Sequence, residues 1–457
     1  MLTPYTAGRP LMVAHALVPA LVLALVPAFA WAQTGPPPGD IDPQLARLLA
    51  AAPAIDNHAH PVLPPPNLAT DRGFDALPVD NMEPQTDPAA WRPDSLALAD
   101  AWKALWRFTE APPLSPEAVK RLGAIRDKVR AQHGERYDQW VLDQAHIATM
   151  LANRVAMGAG MEPPRFRWVP YIDALVFPLD NTGLAAATPD RAQFFALEDK
   201  LRAQYLQAVQ LQAVPPTLDG YLTKVVTATL ERQHGQGAVA EKFEIAYLRG
   251  FDFSDPSRED AARVYARLVN RPRPDPADYK LLQDFLFRFI VAECGRLHMP
   301  VHIHSMSGGG GYFSIAGANP LLLEPLFNHP RLRQTQFVML HGGWPFVHET
   351  GALLQKPNAW LDLSQQSLVI PPRTLAGWLR EWLEVFPDKV LFATDGYPFT
   401  ESLGWEEAAF LASRNIRQAL GLALTGMLRD HEITRDQAAA IARGVLHDNA
   451  ARLYGIP

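Results

Sequence analysis

Residues 51–60 read AAPAIDNHAH, an apolar run that ends in two histidines, His58 and His60, one residue apart. Because alternate side chains of an extended strand share a face, the two imidazoles point the same way. Two imidazoles at the C-terminal end of a strand can bind a borderline metal such as zinc. Two nearby histidines also occur by chance, so this interpretation depends on what the rest of the chain supplies.

Short apolar, β-rich segments recur along the chain, and most are followed by a helical pattern. Eight of them predict strands, at 54–58, 153–157, 166–177, 238–243, 300–304, 336–341, 359–363 and 389–394. Eight strands that alternate with helices predict an α/β fold, a parallel (β/α)8 TIM-like barrel. A length of 457 residues suits such a barrel with insertions.

Two connections are too long for simple barrel turns. They span about 61–150 and about 180–235, and both contain helical patterns. Long insertions at the C-terminal face of a barrel build a cap over the active site. The alternative is a separate small helical domain away from the chemistry.

The N-terminal residues have the features of a secretory signal peptide. Arg9 is the only lysine or arginine before an apolar stretch at 16–32, which ends Ala30-Trp31-Ala32. We therefore predict a signal peptide at 1–32, a Pro/Gly-rich leader at 33–53 and the barrel domain at 54–457. The protein is expected to be exported, periplasmic or secreted, with no stable membrane span after cleavage. An uncleaved anchor is the alternative, which the short, proline-containing apolar stretch disfavours.

Composition limits the remaining classes of protein. The hydrophobic content of 48% is that of a globular chain, and the net charge of −6 argues against nucleic acid as the main partner. Cys294 is the only cysteine, which excludes an intramolecular disulfide and a cysteine-based metal cluster. A small-molecule substrate is the expected partner, and a homo-oligomer is compatible with the sequence.

Ionisable residues stand at the ends of several predicted strands. The fourth strand carries Glu241 and Lys242, the fifth ends in His302 and His304, the sixth ends at His341 and the eighth is followed by Asp395. Barrel active sites are assembled from the C-terminal ends of different strands. These residues are therefore expected to meet His58 and His60 in one site.

Five short motifs follow one another along the chain: DNHAH at 56–60, His304-Ser305 with the glycines up to Gly311, LHGGWP at 340–345, ATD at 393–395 and NAARLYG at 449–455. Together and in this order they resemble the amidohydrolase superfamily, in particular its amidohydrolase-related branch of metal-dependent hydrolases. The resemblance covers about Ile55 to Ile456. It implies a metal-bearing (β/α)8 barrel, in agreement with the strand count.

The resemblance also implies roles for individual residues. His58, His60 and His304 would bind a divalent metal, expected to be zinc, together with Asp395. Asp395 would also be the general base that takes a proton from metal-bound water. His341 would either bind a second metal or polarise the substrate as an acid. His302 faces the same side of its strand, but His304 with the glycines after it fits the family's turn better.

Lys242 decides whether one or two metals are expected. In dinuclear members of the superfamily a lysine of the fourth strand is carbamylated and bridges two ions, and Lys242 is placed for that role, with Glu241 as its neighbour. The alternatives are a lysine that binds a substrate carboxylate and a structural lysine. Arg249, shortly afterwards, is a candidate for binding an anionic group of the substrate, or a surface arginine.

The leading hypothesis is a metal-dependent hydrolase, in which metal-bound hydroxide attacks an amide, lactone or ester carbonyl with Asp395 as general base. A non-oxidative decarboxylase of an aromatic or unsaturated carboxylic acid is the alternative on the same metal site, and an isomerase of sugar acids is a weaker third. A non-catalytic binding barrel is disfavoured, because such a protein would be expected to have lost some of these ligands. The substrate itself does not follow from the sequence.

Overall fold

Eight parallel strands form the centre of the described chain. The computed structural model describes residues 40–71, 73–77, 82–83 and 85–457, so the predicted signal peptide at 1–32 lies outside the described residues. The strands are β1 (Ala54–Ala59), β2 (Ile147–Asn153), β3 (Phe166–Val169), β4 (Glu241–Phe243), β5 (Val301–His304), β6 (Phe337–Leu340), β7 (Ala359–Asp362) and β8 (Val390–Leu391).

Backbone hydrogen bonds close these strands into a barrel. The strands pair in two ladders, β1-β2-β3 and β4 to β8 in sequence order. The first ladder joins the second through the amide of Lys242, which donates to the carbonyl of Pro170 over 2.8 Å. At the other seam the amide of Asn57 donates to Phe392 over 3.0 Å, and the amide of Asp395 donates to His58 over 2.8 Å. The predicted (β/α)8 barrel is therefore confirmed.

All eight predicted strands overlap the observed ones, but the second does so only at Asn153. It was predicted at 153–157 but lies at Ile147–Asn153, directly after a helix. Both faces of this strand are buried except at one residue, so its sequence lacks the alternation that marks a half-exposed strand. A continuous apolar run that follows a helix gives no periodic signal for the point where the strand begins.

Helices surround the barrel and fill its connections. They are α1 (Pro43–Ala51), α2 (Leu96–Trp106), α3 (Pro116–His133), α4 (Tyr137–Gln144), α5 (Thr182–Ala185), α6 (Pro189–Ala208), α7 (Leu218–Tyr221), α8 (Ala228–Gly235), α9 (Ile245–Leu248), α10 (Arg258–Leu268), α11 (Pro276–Arg296), α12 (Glu324–Phe327), α13 (Val347–Leu353), α14 (Gln366–Val369), α15 (Pro372–Val385), α16 (Trp405–Arg429), α17 (Arg435–Arg443) and α18 (Asn449–Tyr454). Within the described residues, no helix is both long enough and apolar enough to cross a membrane.

Helix α1 lies within the leader that was predicted at 33–53. The Asp42 carboxylate accepts the amide hydrogens of Gln44 and Leu45, and Pro43 occupies the first helical position, where it needs no donor. Leu45 and Leu49 are buried on the inner face of the helix. Part of the leader is thus folded onto the body of the protein.

The interior of the barrel is apolar where the strands begin. Ile55, Leu151, Val338 and Leu391 form an inner cluster with residues of the chain terminus, including Ile456. The outward-facing strand residues pack instead against the surrounding helices. Since one end of the barrel is filled by side chains, the polar groups are left at the end where the strands finish.

The two insertions belong to the same compact unit as the barrel. In the first, the Trp102 indole donates to the carbonyl of Ser402 over 2.8 Å, and the Trp106 indole donates to Glu407 over 2.7 Å. In the second, the Tyr221 hydroxyl donates to the carbonyl of Leu175 over 2.7 Å. Each insertion is therefore fastened to the segment after a strand, β8 for the first and β3 for the second.

Replacing Trp102 with Ala tests how firmly the first insertion is packed. The side chain is fully buried in α2, so we expect a loss of about 3–5 kcal/mol in the free energy of unfolding, measured by denaturant titration. Leu96→Ala is the matched control, because Leu96 begins the same helix and is 77% exposed, and it should change stability by less than about 0.5 kcal/mol. Equal, small effects of the two substitutions would contradict the packing described.

Candidate functional site

A cavity opens at the C-terminal ends of the strands. The described residues that line it are His58, His60, Asp75, Leu77, Glu244, Tyr247, His304, His341, Gln365, Asp395, Tyr397 and Phe399. Asp75 and Leu77 come from the first insertion, so that insertion contributes to the wall of the cavity as the cap prediction requires. No described residue of the second insertion lines it.

Three side chains form the closest group of metal-ligating atoms in the described chain: His58, His60 and Asp395. The Nε2 atoms of His58 and His60 are 3.3 Å apart. Asp395 Oδ1 lies 3.2 Å from His58 Nε2 and 3.5 Å from His60 Nε2. With bonds of about 2.1 Å to a shared ion, these separations correspond to ligand–metal–ligand angles of roughly 100–113°, close to tetrahedral. The three residues therefore fit a single divalent ion with at least one position left for another ligand.

The closure of the barrel brings this group together. His58 and His60 lie on and just after β1, and Asp395 follows β8, the strand that pairs with β1. Asp56 fastens the two strands: its carboxylate accepts the amide hydrogen of Thr394 over 2.9 Å and the hydroxyl hydrogen of the same residue over 2.5 Å. Asp56 is therefore a clamp between the strands and not a ligand.

Second hydrogen bonds orient the two imidazoles. The side-chain amide of Asn153 lies 2.5 Å from His58 Nδ1. In this orientation Asn153 Oδ1 has no hydrogen-bond partner among the described residues, and flipping the amide would let it accept a hydrogen from His58 Nδ1. The Tyr171 hydroxyl lies 2.8 Å from His60 Nδ1 and also hydrogen-bonds to Asp75. Because the Tyr171 hydroxyl donates to Asp75, His60 carries its hydrogen on Nδ1 and presents the Nε2 lone pair. With the Asn153 amide flipped, His58 does the same.

Burial sets the charge state of this group. It lowers the pKa of His58 and of His60 well below the usual range, so both imidazoles are neutral, the form that binds metal. Burial also raises the pKa of Asp395 well above its usual range, an effect that the positive charge of Lys242 opposes. A bound cation would favour the carboxylate form of Asp395 in the same way.

His341 and Asp395 both have a left-handed backbone, with φ angles of 63° and 55°. Such conformations are costly for residues other than glycine and collect at functional sites. The turn after His341 explains one glycine of the LHGGWP motif: Gly343 has a φ of 73°, and a Cβ there would lie 1.9 Å from Thr350 Oγ1. The backbone after β6 is therefore held in one conformation, which aims the imidazole of His341 into the cavity.

A hydrogen-bond chain fixes the tautomer of His341. Ser364 Oγ lies 2.7 Å from His341 Nδ1 and donates its own hydrogen to Asp362 over 2.6 Å. His341 Nδ1 must therefore carry the hydrogen that Ser364 accepts, which leaves a lone pair on Nε2. Burial lowers the pKa of His341 well below the usual range, so this neutral form persists.

His304 lines the cavity beside His341, with 4.6 Å between the two ring centroids. Its Nε2 lies 3.0 Å from the carbonyl of Met306, to which it donates, and its Nδ1 lies 3.8 Å from Glu244 Oε2. His304 does not belong to the closest group, although the sequence predicted that it binds the first metal with His58, His60 and Asp395. His302 lies deeper in the barrel, 2.7 Å from the Tyr454 hydroxyl, and does not line the cavity.

Lys242 is buried and forms an ion pair with Glu244, at 2.5 Å between Nζ and Oε1. A carbamate at Lys242 would replace this positive charge with a second negative charge beside the Glu244 carboxylate. The observed pairing gives Lys242 a structural partner, and the carbamylated bridge stays a prediction. Glu241, its neighbour in the sequence, is also buried and does not line the cavity.

Arg249 does not reach the cavity. Its guanidinium forms an ion pair with Asp284 at 2.7 Å and lies over the ring of Phe253, 4.5 Å from the centroid. These contacts give the arginine a structural role and do not support the predicted binding of a substrate anion. Its position soon after a strand suggested a ligand, but Asp284 is contributed by α11, and a contact between separate elements leaves no local signal.

The sequence interpretation missed several residues of the site. Those that line the cavity or hold its histidines are Asp75, Asn153, Tyr171, Glu244, Tyr247, Ser364, Gln365, Tyr397 and Phe399. Asn153 ends β2, and Ser364 and Gln365 follow β7, so a correct second strand and attention to the seventh strand end would have found them. Asp75 lies in the first insertion, where strand order gives no guidance.

Comparison with known proteins places these features in context. A family model described as amidohydrolase matches residues 195–456. The chain is 28% identical over 228 residues to Protein fluG of Emericella nidulans, a match that covers 47% of this chain and 25% of that protein. The chain thus spans about a quarter of the length of the curated relative it matches.

Three solved structures share the fold. A protein assigned as a metal-dependent hydrolase from Lactobacillus casei has a TM-score of 0.60 at 16% identity, with 90% of this chain and 97% of that chain covered. Uronate isomerase from Thermotoga maritima has a TM-score of 0.58 at 13% identity, with 91% of this chain and 98% of that chain covered. Glucuronate isomerase from Caulobacter crescentus has a TM-score of 0.51 at 12% identity, with 90% of this chain and 93% of that chain covered. At these identities the likeness concerns the barrel and not the reaction.

Replacing Asn153 with Ala removes the partner of His58 Nδ1. We expect zinc to bind about 10- to 100-fold more weakly, because the imidazole loses its orientation, as measured by competition with a chelating dye. Asn328→Ala is the control, since Asn328 is exposed and remote from the cavity. An unchanged zinc affinity in the Asn153 variant would contradict the orienting role.

The metal content of the purified protein tests the role of Lys242. We expect about one divalent ion per chain, because the three closest ligands fit a single ion, and no loss of this ion in the double variant Lys242→Met, Glu244→Gln, which removes both charges of the buried pair. Elemental analysis after dialysis measures the content. Two ions in the wild type, with one lost in the double variant, would restore the carbamylated bridge.

Proposed function

Because the chain belongs to the amidohydrolase family, we propose that it is a metal-dependent hydrolase that acts on an amide, lactone or ester carbonyl of a small molecule. The observation that carries this proposal is the group formed by His58, His60 and Asp395, which gathers two neutral imidazoles and a carboxylate at the base of a buried cavity. The nitrogen and oxygen ligand set favours zinc among the divalent metals.

A divalent ion in this position would polarise a carbonyl oxygen and lower the pKa of a water molecule to about 7. Asp395 supplies the general base. Its Oδ1 faces both imidazoles, which leaves Oδ2 to take the proton of the attacking water and pass it to the leaving group. The left-handed backbone of Asp395 and the hydrogen bond from its amide to His58 hold the carboxylate in place.

The sequence predicted that His341 either binds a second metal or polarises the substrate as an acid, and its hydrogen bonds favour a third role. With its hydrogen on Nδ1, held by Ser364 and Asp362, the imidazole presents a lone pair to the cavity. We therefore propose that His341 accepts a hydrogen bond from the attacking water and so orients it. Asp395 then remains the group that transfers the proton.

The charge of the cavity wall supports hydrolysis over decarboxylation or sugar-acid isomerisation. Those two reactions act on carboxylic acids, whose anionic group would approach the carboxyl groups of Asp75 and Glu244. Burial raises the pKa of Asp75 to about 7, so the repulsion from Asp75 is largest above neutral pH. Like charges in a buried site repel strongly. The carbonyl of an amide, ester or lactone carries no such charge.

The location of the protein stays a prediction. Export, to the periplasm or the medium, depends on the signal peptide at 1–32, outside the described residues. An exported protein would acquire its metal during or after export, which is compatible with zinc.

Replacing Asp395 with Asn tests the general base. With zinc in excess and binding confirmed by metal analysis, we expect kcat on a panel of esters, lactones and amides to fall by about 10²- to 10⁴-fold. Asp388→Asn is the matched control, because Asp388 is exposed at the opposite end of β8, and it should keep wild-type turnover. Wild-type turnover by the Asp395 variant would exclude the carboxylate from the reaction.

The same panel should contain aromatic carboxylic acids. We expect hydrolysis of at least one carbonyl compound and no release of CO₂ from the acids, because the acids meet like charges at the cavity wall. Release of CO₂, followed in a coupled assay, without hydrolysis would replace the proposed function by decarboxylation.

A further inference from the structure

Three hydrogen-bond acceptors line the cavity beyond the groups that the proposed hydrolysis uses. They are the carboxylates of Asp75 and Glu244 and the side-chain amide oxygen of Gln365. Each comes from a different part of the chain: the first insertion, the end of β4 and the end of β7. Because the proposed transfer of the proton needs none of them, they are available to recognise the substrate.

Asp75 is a carboxylate buried by the first insertion, with 4% of its side chain exposed. One oxygen accepts the amide hydrogen of Leu77 over 3.2 Å, and the other lies 3.9 Å from His60 Nδ1. The Tyr171 hydroxyl also contacts it. Neutral donors satisfy some of its hydrogen-bonding capacity, but no described lysine or arginine forms an ion pair with it.

Glu244 has one engaged and one available oxygen. Oε1 faces Lys242, whereas Oε2 faces the cavity, 3.8 Å from His304 Nδ1. Asp75 and Glu244 are near enough for their charges to repel. Two buried carboxylates beside one cavity are stabilised by a cation that contacts both.

Gln365 is the independent observation that points to a ligand. It is 7% exposed, and its Oε1 has no hydrogen-bond partner among the described residues. Its backbone is left-handed, with a φ of 51°, which is costly for a glutamine. A buried acceptor without a partner is also costly, unless a ligand or water supplies the donor.

We propose that the substrate of the hydrolase carries a protonated primary amine close to the scissile carbonyl, bound by Asp75, Glu244 and Gln365. An ammonium group has three N–H donors and no acceptor, and the wall offers three acceptors, two of them carboxyl groups. That the substrate has a scissile carbonyl rests on the proposed function. Binding of the amine by the cavity wall does not depend on whether hydrolysis follows. It assigns the first insertion a part in specificity.

Three hydroxamates test the inference without relying on turnover, since hydroxamates bind divalent metals directly. Alanine hydroxamate, N-acetylalanine hydroxamate and lactic hydroxamate share a metal-binding group and differ in carrying an ammonium, a neutral amide or a hydroxyl. With zinc-loaded protein and calorimetry, we expect alanine hydroxamate to bind at least tenfold more tightly than either of the others. Equal or weaker binding of the amine would overturn the inference.

The Asp75→Asn variant tests whether Asp75 causes the tighter binding of alanine hydroxamate. We expect this variant to bind alanine hydroxamate no more than about threefold more tightly than the other two hydroxamates, because a charged partner of the amine is lost. Its affinity for N-acetylalanine hydroxamate should stay within about twofold of the wild-type value. Asp87→Asn, an exposed carboxylate of the same insertion, is the matched control and should keep the preference. An equal loss for all three ligands would contradict recognition of the amine by Asp75.

A second variant covers the case in which Asp75→Asn does not fold. Gln365→Ala removes only an uncharged acceptor, and we expect it to reduce the amine preference by severalfold with the same protein yield. An unchanged preference would remove Gln365 from the site.

Turnover separates this inference from the proposed function. An amine preference in binding, with no hydrolysis of alanine esters or amides, would contradict the hydrolase and leave the recognition intact. Hydrolysis of N-acetylated esters in preference to free-amine esters would contradict the recognition and leave the hydrolase intact.

Discussion

The hydrogen bond from the amide of Asp395 to the carbonyl of His58, at 2.8 Å, is the interaction on which the site depends. It lies in the seam where the last strand meets the first, so it brings a carboxylate from near the end of the chain to two histidines from near its beginning. Asp56, which binds the backbone and side chain of Thr394, reinforces the same seam. A barrel that failed to close there would keep its strands and separate the three residues that could hold a metal ion.

Backbone strain at the site raises the free energy of the folded protein, and packing elsewhere in the fold offsets it. His341, Gln365 and Asp395 each have a left-handed backbone, at a cost of about 1–3 kcal/mol apiece. Burial keeps the imidazoles neutral, and Asn153, Tyr171 and Ser364 fix which nitrogen of each ring presents a lone pair. The fully packed interior beneath them, closed by the end of the chain, allows these strained residues to persist in one arrangement.

Much of the fold and part of the site could be predicted from sequence. Apolar runs locate strands, and strand order places His58, His60, His341 and Asp395 at one end of the barrel, because every parallel strand finishes there. What could not be predicted depends on contacts between distant elements. The partner of Arg249 lies on α11, and the position of Asp75 depends on how the first insertion folds back. Lys242 was placed correctly on β4, but its partner is Glu244, whose orientation no sequence pattern specifies.

The position of the metal is the central claim, and anomalous diffraction from crystals grown with zinc tests it most directly. The account predicts one strong peak per chain, about 2.0–2.2 Å from His58 Nε2, His60 Nε2 and a carboxylate oxygen of Asp395. Zinc bound elsewhere in the cavity, with these three side chains contacting only one another, would contradict it.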